Sequence, residues 1–280
     1  IKALITSGNH LRLTGDVLDL LPQLEIAAQF GVGYDNVDID AATRRGVVVT
    51  HTPDVQTDEV ADMAVGLLIS TIRQLPQAER YLREGKWAQY GSFPPSDSLR
   101  NRKIGILGLG RIGEAVARRL LAFGVDVSYH SRSPRPNSGL AYHPSPLALA
   151  RSVDVLVVTA SGGPQSRHLV DGAVLAALGE RGVVINVARG SVIDQHALIE
   201  ALRGGVISAA GLDVFEQEPN VPAELLALDR VVLLPHLAAK TRYTMLTMVD
   251  LVLGNLQAWF DRRIPLTPTP ESTKLLQSPM

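Results

Sequence analysis

The 280-residue sequence contains no cysteine, which excludes disulfides, a thiolate nucleophile and cysteine-ligated zinc. A chain of this kind suits a reducing compartment, with the cytoplasm as the default. Nor is there an excess of either charge. Lysine plus arginine number 27 against 28 for aspartate plus glutamate, so the net charge of −1 creates no field for gripping nucleic acid or an acidic membrane. No apolar run approaches the roughly 18 to 20 residues that a membrane-spanning helix needs. The first residues, Ile1 to Thr6, carry no basic leader ahead of a long apolar stretch. Short repeats are also missing. With 46% apolar and 20% charged residues, the sequence describes a globular chain of one large or two modest domains.

Short β-branched runs alternate with longer stretches of helical spacing, the pattern of parallel sheets covered by helices on both faces. Candidate strands are 2–6, 25–29, 47–50, 103–107, 125–130, 153–159, 182–187, 207–212 and 231–234. Most are near-continuous apolar runs, as expected of strands buried on both faces. Helical segments are read at 58–84, 112–123 and from about 239 to 260, and the tail 265–280, with Thr-Pro-Thr-Pro and no periodicity, reads as a loose extension. The reading is an α/β protein with two doubly wound parallel-sheet domains. One is a continuous dinucleotide-binding domain over 54–238; the other is discontinuous, built from 1–53 plus 239–280. The chain starts at Ile1 directly in a strand-like run rather than at Met.

The run Lys103 to Leu107 is followed by Gly108-Leu109-Gly110-Arg111-Ile112-Gly113 and then by a helical segment. Strand, glycine turn and helix together form the dinucleotide fingerprint: Gly108 for the tight turn, Gly110 for close approach of a pyrophosphate, Gly113 for packing of helix on strand. Arg111 and Ile112 open that helix, whose first amides and dipole favour phosphate. The position that chooses between NAD and NADP falls at Ser131-Arg132-Ser133, where no carboxylate stands. An aspartate there would bond the ribose, whereas arginine and serine suit a 2′-phosphate. NADP(H) is therefore the expected cofactor, with NAD(H) a weaker alternative, and no metal is implied.

In doubly wound sheets, ligands sit beyond the carboxyl ends of the strands. Arg189 follows the strand 182–187, Asp213 and Glu218 follow 207–212, and His236 follows 231–234. Imidazole can move a proton near neutral pH, a carboxylate on its other nitrogen can fix the tautomer, and guanidinium can hold a carboxylate and polarise a neighbouring carbonyl. Each residue alone has an ordinary reading: a surface ion pair for Arg189, a solvated loop for Glu218, a helix cap for His236. Their joint placement downstream of the glycine loop points to reduction of a 2-oxo acid.

Seven motifs in order then resemble the D-isomer-specific 2-hydroxyacid dehydrogenase family, particularly its glyoxylate/hydroxypyruvate reductase branch. They are Phe30 to Asp38, Thr57 to Asp62, Gly85 to Trp87, Gly108 to Gly113, Asn186 to Ser191, Gly211 to Pro219, and Pro235-His236. The resemblance implies a Rossmann cofactor domain, a flavodoxin-like substrate domain and a homodimer. It also implies a further strand and helix ahead of the region matching Ile1. Arg189, Glu218 and His236 become the catalytic set, Ala188 and Asp213 lie at the cofactor, and the backbone of Val32 and Gly33 binds the substrate carboxylate as a glycine bend with inward-pointing amides can. Trp87 and Tyr90 are either active-site aromatics or core. Ala239 and Lys240 depart from the family pattern after the histidine and bear on substrate preference. Two rivals stand beside the reductase: a non-catalytic NAD(H)-sensing regulator resembling the family's corepressors, and a dehydrogenase for another 2-hydroxy acid. A formate-dehydrogenase-like activity fits less well, because those relatives resemble a pattern with glutamine at position 218.

Overall fold

The computed structural model describes residues 1–8 and 12–277. The chain divides into two compact units, Ile1–Gln56 with Lys240–Met280, and Thr57–Ala239. The strands are β1 Ala3–Ser7, β2 Ile26–Phe30, β3 Val48–Thr50, β4 Lys103–Leu107, β5 Asp126–His130, β6 Ala141–Tyr142, β7 Val155–Val158, β8 Val183–Asn186, β9 Ala209–Leu212 and β10 Val231–Leu233. All pair in parallel, as the apolar runs imply.

The first unit holds a sheet ordered β1-β2-β3. Successive residues of a strand face opposite sides. Ala27, Val47 and Val49 accordingly join Leu18 and Ala41 on one side, while Ile26 and Val48 meet Trp259 on the other. Trp259 belongs to the helix Arg242–Arg262, which begins at Thr241 with a reciprocal capping box to Thr244.

In the second unit the order is β10-β9-β8-β7-β4-β5-β6. The same alternation separates its two apolar layers. Ile104, Ile106, Val155, Val157, Val183 and Ile185 face the helices Thr57–Ile72 and Arg111–Leu121. Leu107, Leu156, Val158 and Val184 face residues of the helices Gly172–Leu178 and Gln195–Arg203. Full burial of each such aliphatic side chain contributes about 1.5–3 kcal/mol, so these layers hold the sheet rigid enough to aim the loops at its carboxyl edge. The strand order reverses direction between β4 and β7, the crevice where doubly wound sheets bind ligands.

Several elements differ from the sequence reading. The helical stretch 58–84 is two helices, Thr57–Ile72 and Leu75–Arg83, because Gln74 adopts a left-handed φ of 52° and Pro76 restarts the chain. β6 is a two-residue edge strand, too short to leave a pattern. The tail is not a loose extension over its described part. Pro268 bridges Thr50, the Thr269 amide donates to the Val49 carbonyl, and the Val49 amide donates to the fully buried Ser272 hydroxyl at the start of the helix Pro270–Gln277. Positions 278–280 lie outside the described residues. Among the described residues no helix is long and apolar enough to cross a membrane.

Candidate active site

The glycine loop leaves β4 as a tight bend. Gly108 has φ +104°, and a Cβ there would stand 2.6 Å from the backbone of Ala160. A Cβ on Gly113 would fall 2.3 Å from the Gly108 carbonyl oxygen, so that residue sets how closely the helix Arg111–Leu121 approaches the strand. Gly110 is different. A side chain there would meet nothing within 4 Å, and this residue caps the helix without any side-chain bond of its own. An open backbone at Gly110 and first-turn amides at Arg111 and Ile112 fit a dinucleotide pyrophosphate.

At the end of β5 the loop 131–135 folds over Tyr129, whose hydroxyl accepts from the Arg135 amide at 2.6 Å. The Ser131 hydroxyl donates to the Ser133 carbonyl, and exposed Arg132 donates to Gln165 Oε1 at 3.1 Å. The charged side chains of this loop are both arginines, and such a donor set suits a phosphate.

Three loops from β8, β9 and β10 meet farther along the same edge. His236 directs Nδ1 at Glu218 Oε2 over 2.6 Å, and Glu218 Oε1 accepts from the Phe215 amide at 3.1 Å. A carboxylate only accepts, so Nδ1 is the protonated donor of this bond. The Glu218 side chain is 16% exposed and that of His236 is 31% exposed, so the carboxylate lies deeper than the ring it holds. His236 takes a left-handed φ of 51°. Its amide donates to the carbonyls of Asp213 and Leu234.

Asp213 is only 1% exposed, and its Oδ1 and Oδ2 accept from the amides of Leu237 and Ala238 at 2.7 and 3.0 Å. Burial pushes its carboxyl above the ordinary aspartate range, against the lowering effect of those two amides. The sequence reading gives Asp213 to the cofactor. It misses the part Asp213 plays in shaping the turn that carries His236.

Arg189 opens the single turn Gly190–Val192 after β8 and donates from Nη1 to the Ala188 carbonyl at 2.8 Å. Buried Asn186 shapes the turn before it, donating to the Arg189 carbonyl and accepting from the Ala188 amide. A Cβ on Gly190 would fall 1.8 Å from the Phe215 carbonyl carbon, so this glycine alone lets the Arg189 turn lie against the Glu218 loop. Sequence reasoning missed both Asn186 and Gly190; the only signal was their place inside a motif. A second pair, His168 Nε2 to Glu216 Oε1 at 2.5 Å, fastens the same loop from behind.

Residues 65–238 match the family of D-isomer specific 2-hydroxyacid dehydrogenases in its NAD binding domain. The chain belongs to that family. A crystal structure of an NADPH-dependent glyoxylate/hydroxypyruvate reductase from Sinorhizobium meliloti, in complex with NADP and malonate, is similar to this dehydrogenase at 52% identity and TM-score 0.94, over 97% of this chain and 85% of that one. Glyoxylate/hydroxypyruvate reductase A of Arabidopsis thaliana is 46% identical over 94% of this chain and 82% of its own. Hydroxyphenylpyruvate reductase of Plectranthus scutellarioides is 44% identical over 96% and 85%.

Val32 and Gly33 lie in the first unit, just after β2. Trp87 and Tyr90 are 60% and 69% exposed, which removes them from the core of the dehydrogenase.

Proposed function

We propose that the chain is an NADPH-dependent reductase of small 2-oxo acids, with glyoxylate and hydroxypyruvate as leading substrates. The observation that carries this reading is the 2.6 Å bond between His236 Nδ1 and Glu218 Oε2, at the sheet edge that also bears the glycine loop. Gly108, Gly110, Arg111, Ile112 and Gly113 would hold the pyrophosphate, Ser131, Arg132 and Ser133 the 2′-phosphate, and Ala188 and Asp213 would flank the nicotinamide. When bound, the reduced cofactor supplies the hydride that adds to the carbonyl carbon.

The chain's own residues supply the rest. His236 gives the Nε2 proton to the carbonyl oxygen as the alcohol forms. Glu218 holds the ring's tautomer and balances its charge while Nε2 is protonated. Arg189 grips the substrate carboxylate and polarises its carbonyl. The backbone of Val32 and Gly33 is the proposed carboxylate site of the first unit. A cytoplasmic homodimer is the corresponding assembly.

Mixing the protein with NADPH and hydroxypyruvate or glyoxylate should produce a steady fall in cofactor absorbance. Failure across a panel of 2-oxo acids would leave the non-catalytic NAD(H)-sensing reading. A panel that includes hydroxyphenylpyruvate also tests for another 2-hydroxy acid, the alternative that the Plectranthus relative's name supports.

Cofactor choice has its own test. Hydrogen bonds to charged groups contribute about 1.5–3 kcal/mol, so Arg132→Asp should lower the NADPH-over-NADH ratio of kcat/KM by about 10²-fold. Fluorescence titration of the two cofactors should show the same reversal in Kd. Unchanged ratios in both measurements would remove Arg132 from the phosphate site.

A further inference from the structure

The bend after β2 is built by tying down consecutive carbonyls. The Gly31 carbonyl accepts from the Thr52 amide at 3.0 Å, that of Val32 from His51 Nδ1 at 3.0 Å, and that of Gly33 from Gln29 Nε2 at 3.1 Å. In a trans peptide the N–H points opposite to the C=O across the same plane. The amides of Val32, Gly33 and Tyr34 are therefore directed away from these anchors, and among the described residues none donates to a protein acceptor. Successive amides pointing one way form a concave site for an anion.

The three anchors differ in kind. Thr52 donates from its main chain, next to β3. Buried Gln29 is itself held by Thr6 Oγ1 at 2.5 Å and Asn36 Nδ2 at 3.3 Å. The middle anchor, on the central carbonyl, is a histidine side chain. His51 is fixed at both main-chain groups by Thr267, to whose carbonyl it donates at 3.1 Å and from whose hydroxyl it accepts at 2.6 Å. Its ring meets Tyr34 edge to face at 5.5 Å. Tyr34 donates in turn to Glu271 Oε2 at 3.2 Å, and burial together with that carboxylate pushes its phenol up to about 12. The carbonyl of Val32 can only accept, so Nδ1 is the donor whatever the state of Nε2.

We propose that His51 is a positioning residue. Its Nδ1–H fixes the peptide plane between Val32 and Gly33 and so aims the Gly33 amide at the substrate's carboxylate. A loop held in its binding conformation before the ligand arrives loses less freedom on binding, so the effect falls on affinity and not on the chemical step. This inference rests on the reading of Val32 and Gly33 as the carboxylate site.

The test compares His51→Leu, which keeps bulk without a donor, with His51→Asn, which restores a donor near Nδ1. Both are checked for a melting temperature close to the parent's. In His51→Leu the KM for hydroxypyruvate and the Ki of malonate should rise about tenfold, with kcat within about twofold and the Kd for NADPH unchanged. His51→Asn should recover to within about threefold of the parent. Amide shifts of 15N-labelled, NADP-saturated parent protein on adding malonate report the underlying site directly. Shifts at Val32, Gly33 and Tyr34 with identical malonate affinity in His51→Leu would overturn the inference alone. No shift at those amides in the parent would overturn the carboxylate reading, and the role of His51 with it.

Discussion

His236→Ala should lower kcat by at least about 10²-fold, since general acid catalysis commonly contributes 10² to 10⁴. The loss should be specific to the chemical step. His236 meets the rest of the protein through Nδ1 to Glu218 and through its main chain to Asp213 and Leu234, and alanine keeps the main-chain bonds. The Phe215 amide still donates to Glu218 Oε1, so the carboxylate retains a partner. NADPH affinity, measured by fluorescence titration, should therefore stay within about twofold while stopped-flow turnover collapses. Turnover within about tenfold of the parent would show that the proton comes from elsewhere.

Gly190→Ala is expected to have the largest effect on the fold of the site. A methyl 1.8 Å from the Phe215 carbonyl carbon and 2.3 Å from the Glu216 amide nitrogen cannot be accommodated by rotating a side chain, because both neighbours are backbone. The turn bearing Arg189 and the loop bearing Glu218 must separate. Overpacking of this kind costs about 3 kcal/mol. At roughly 2–4 °C per kcal/mol for chains of this size, the melting temperature should fall by about 10 °C. Separating Arg189 from the Glu218–His236 pair should also remove most turnover, even at temperatures where the variant is folded. A variant with parental melting temperature and kcat would contradict the close approach of these two loops.

What was legible in the sequence was what depends on local pattern. Apolar runs placed nine of the ten strands among the described residues, because strands buried on both faces leave an unbroken signature. The glycine loop could be read because its three glycines serve a turn only a few residues long. Arg189, Glu218 and His236 stand out as candidates because polar residues just past buried strands are few, and the structure bonds two of them, Glu218 and His236, to each other. Distant contacts left no such trace. Gly190 is a glycine on account of Phe215, 25 positions away, and nothing in its neighbours says so. The bonds from the Leu237 and Ala238 amides to Asp213 come from another loop, so the sequence around Asp213 does not announce them. The segment 265–277 carries no apolar periodicity because polar bonds hold it to β3 and its flank: the Thr267 hydroxyl to the His51 carbonyl, the Thr269 amide to the Val49 carbonyl and the Val49 amide to the Ser272 hydroxyl.

That last segment ties parts of the chain that are far apart in sequence. Residues 57–239 form one continuous unit, whereas in the other the first 56 residues pack with the helix Arg242–Arg262 and the segment after it, which cover the second face of their sheet. During synthesis residues 57–239 emerge before the helix and segment that pack against the sheet of residues 1–56. The bend at Val32 is thus tied, through His51, to Thr267, a residue synthesised 216 positions after His51.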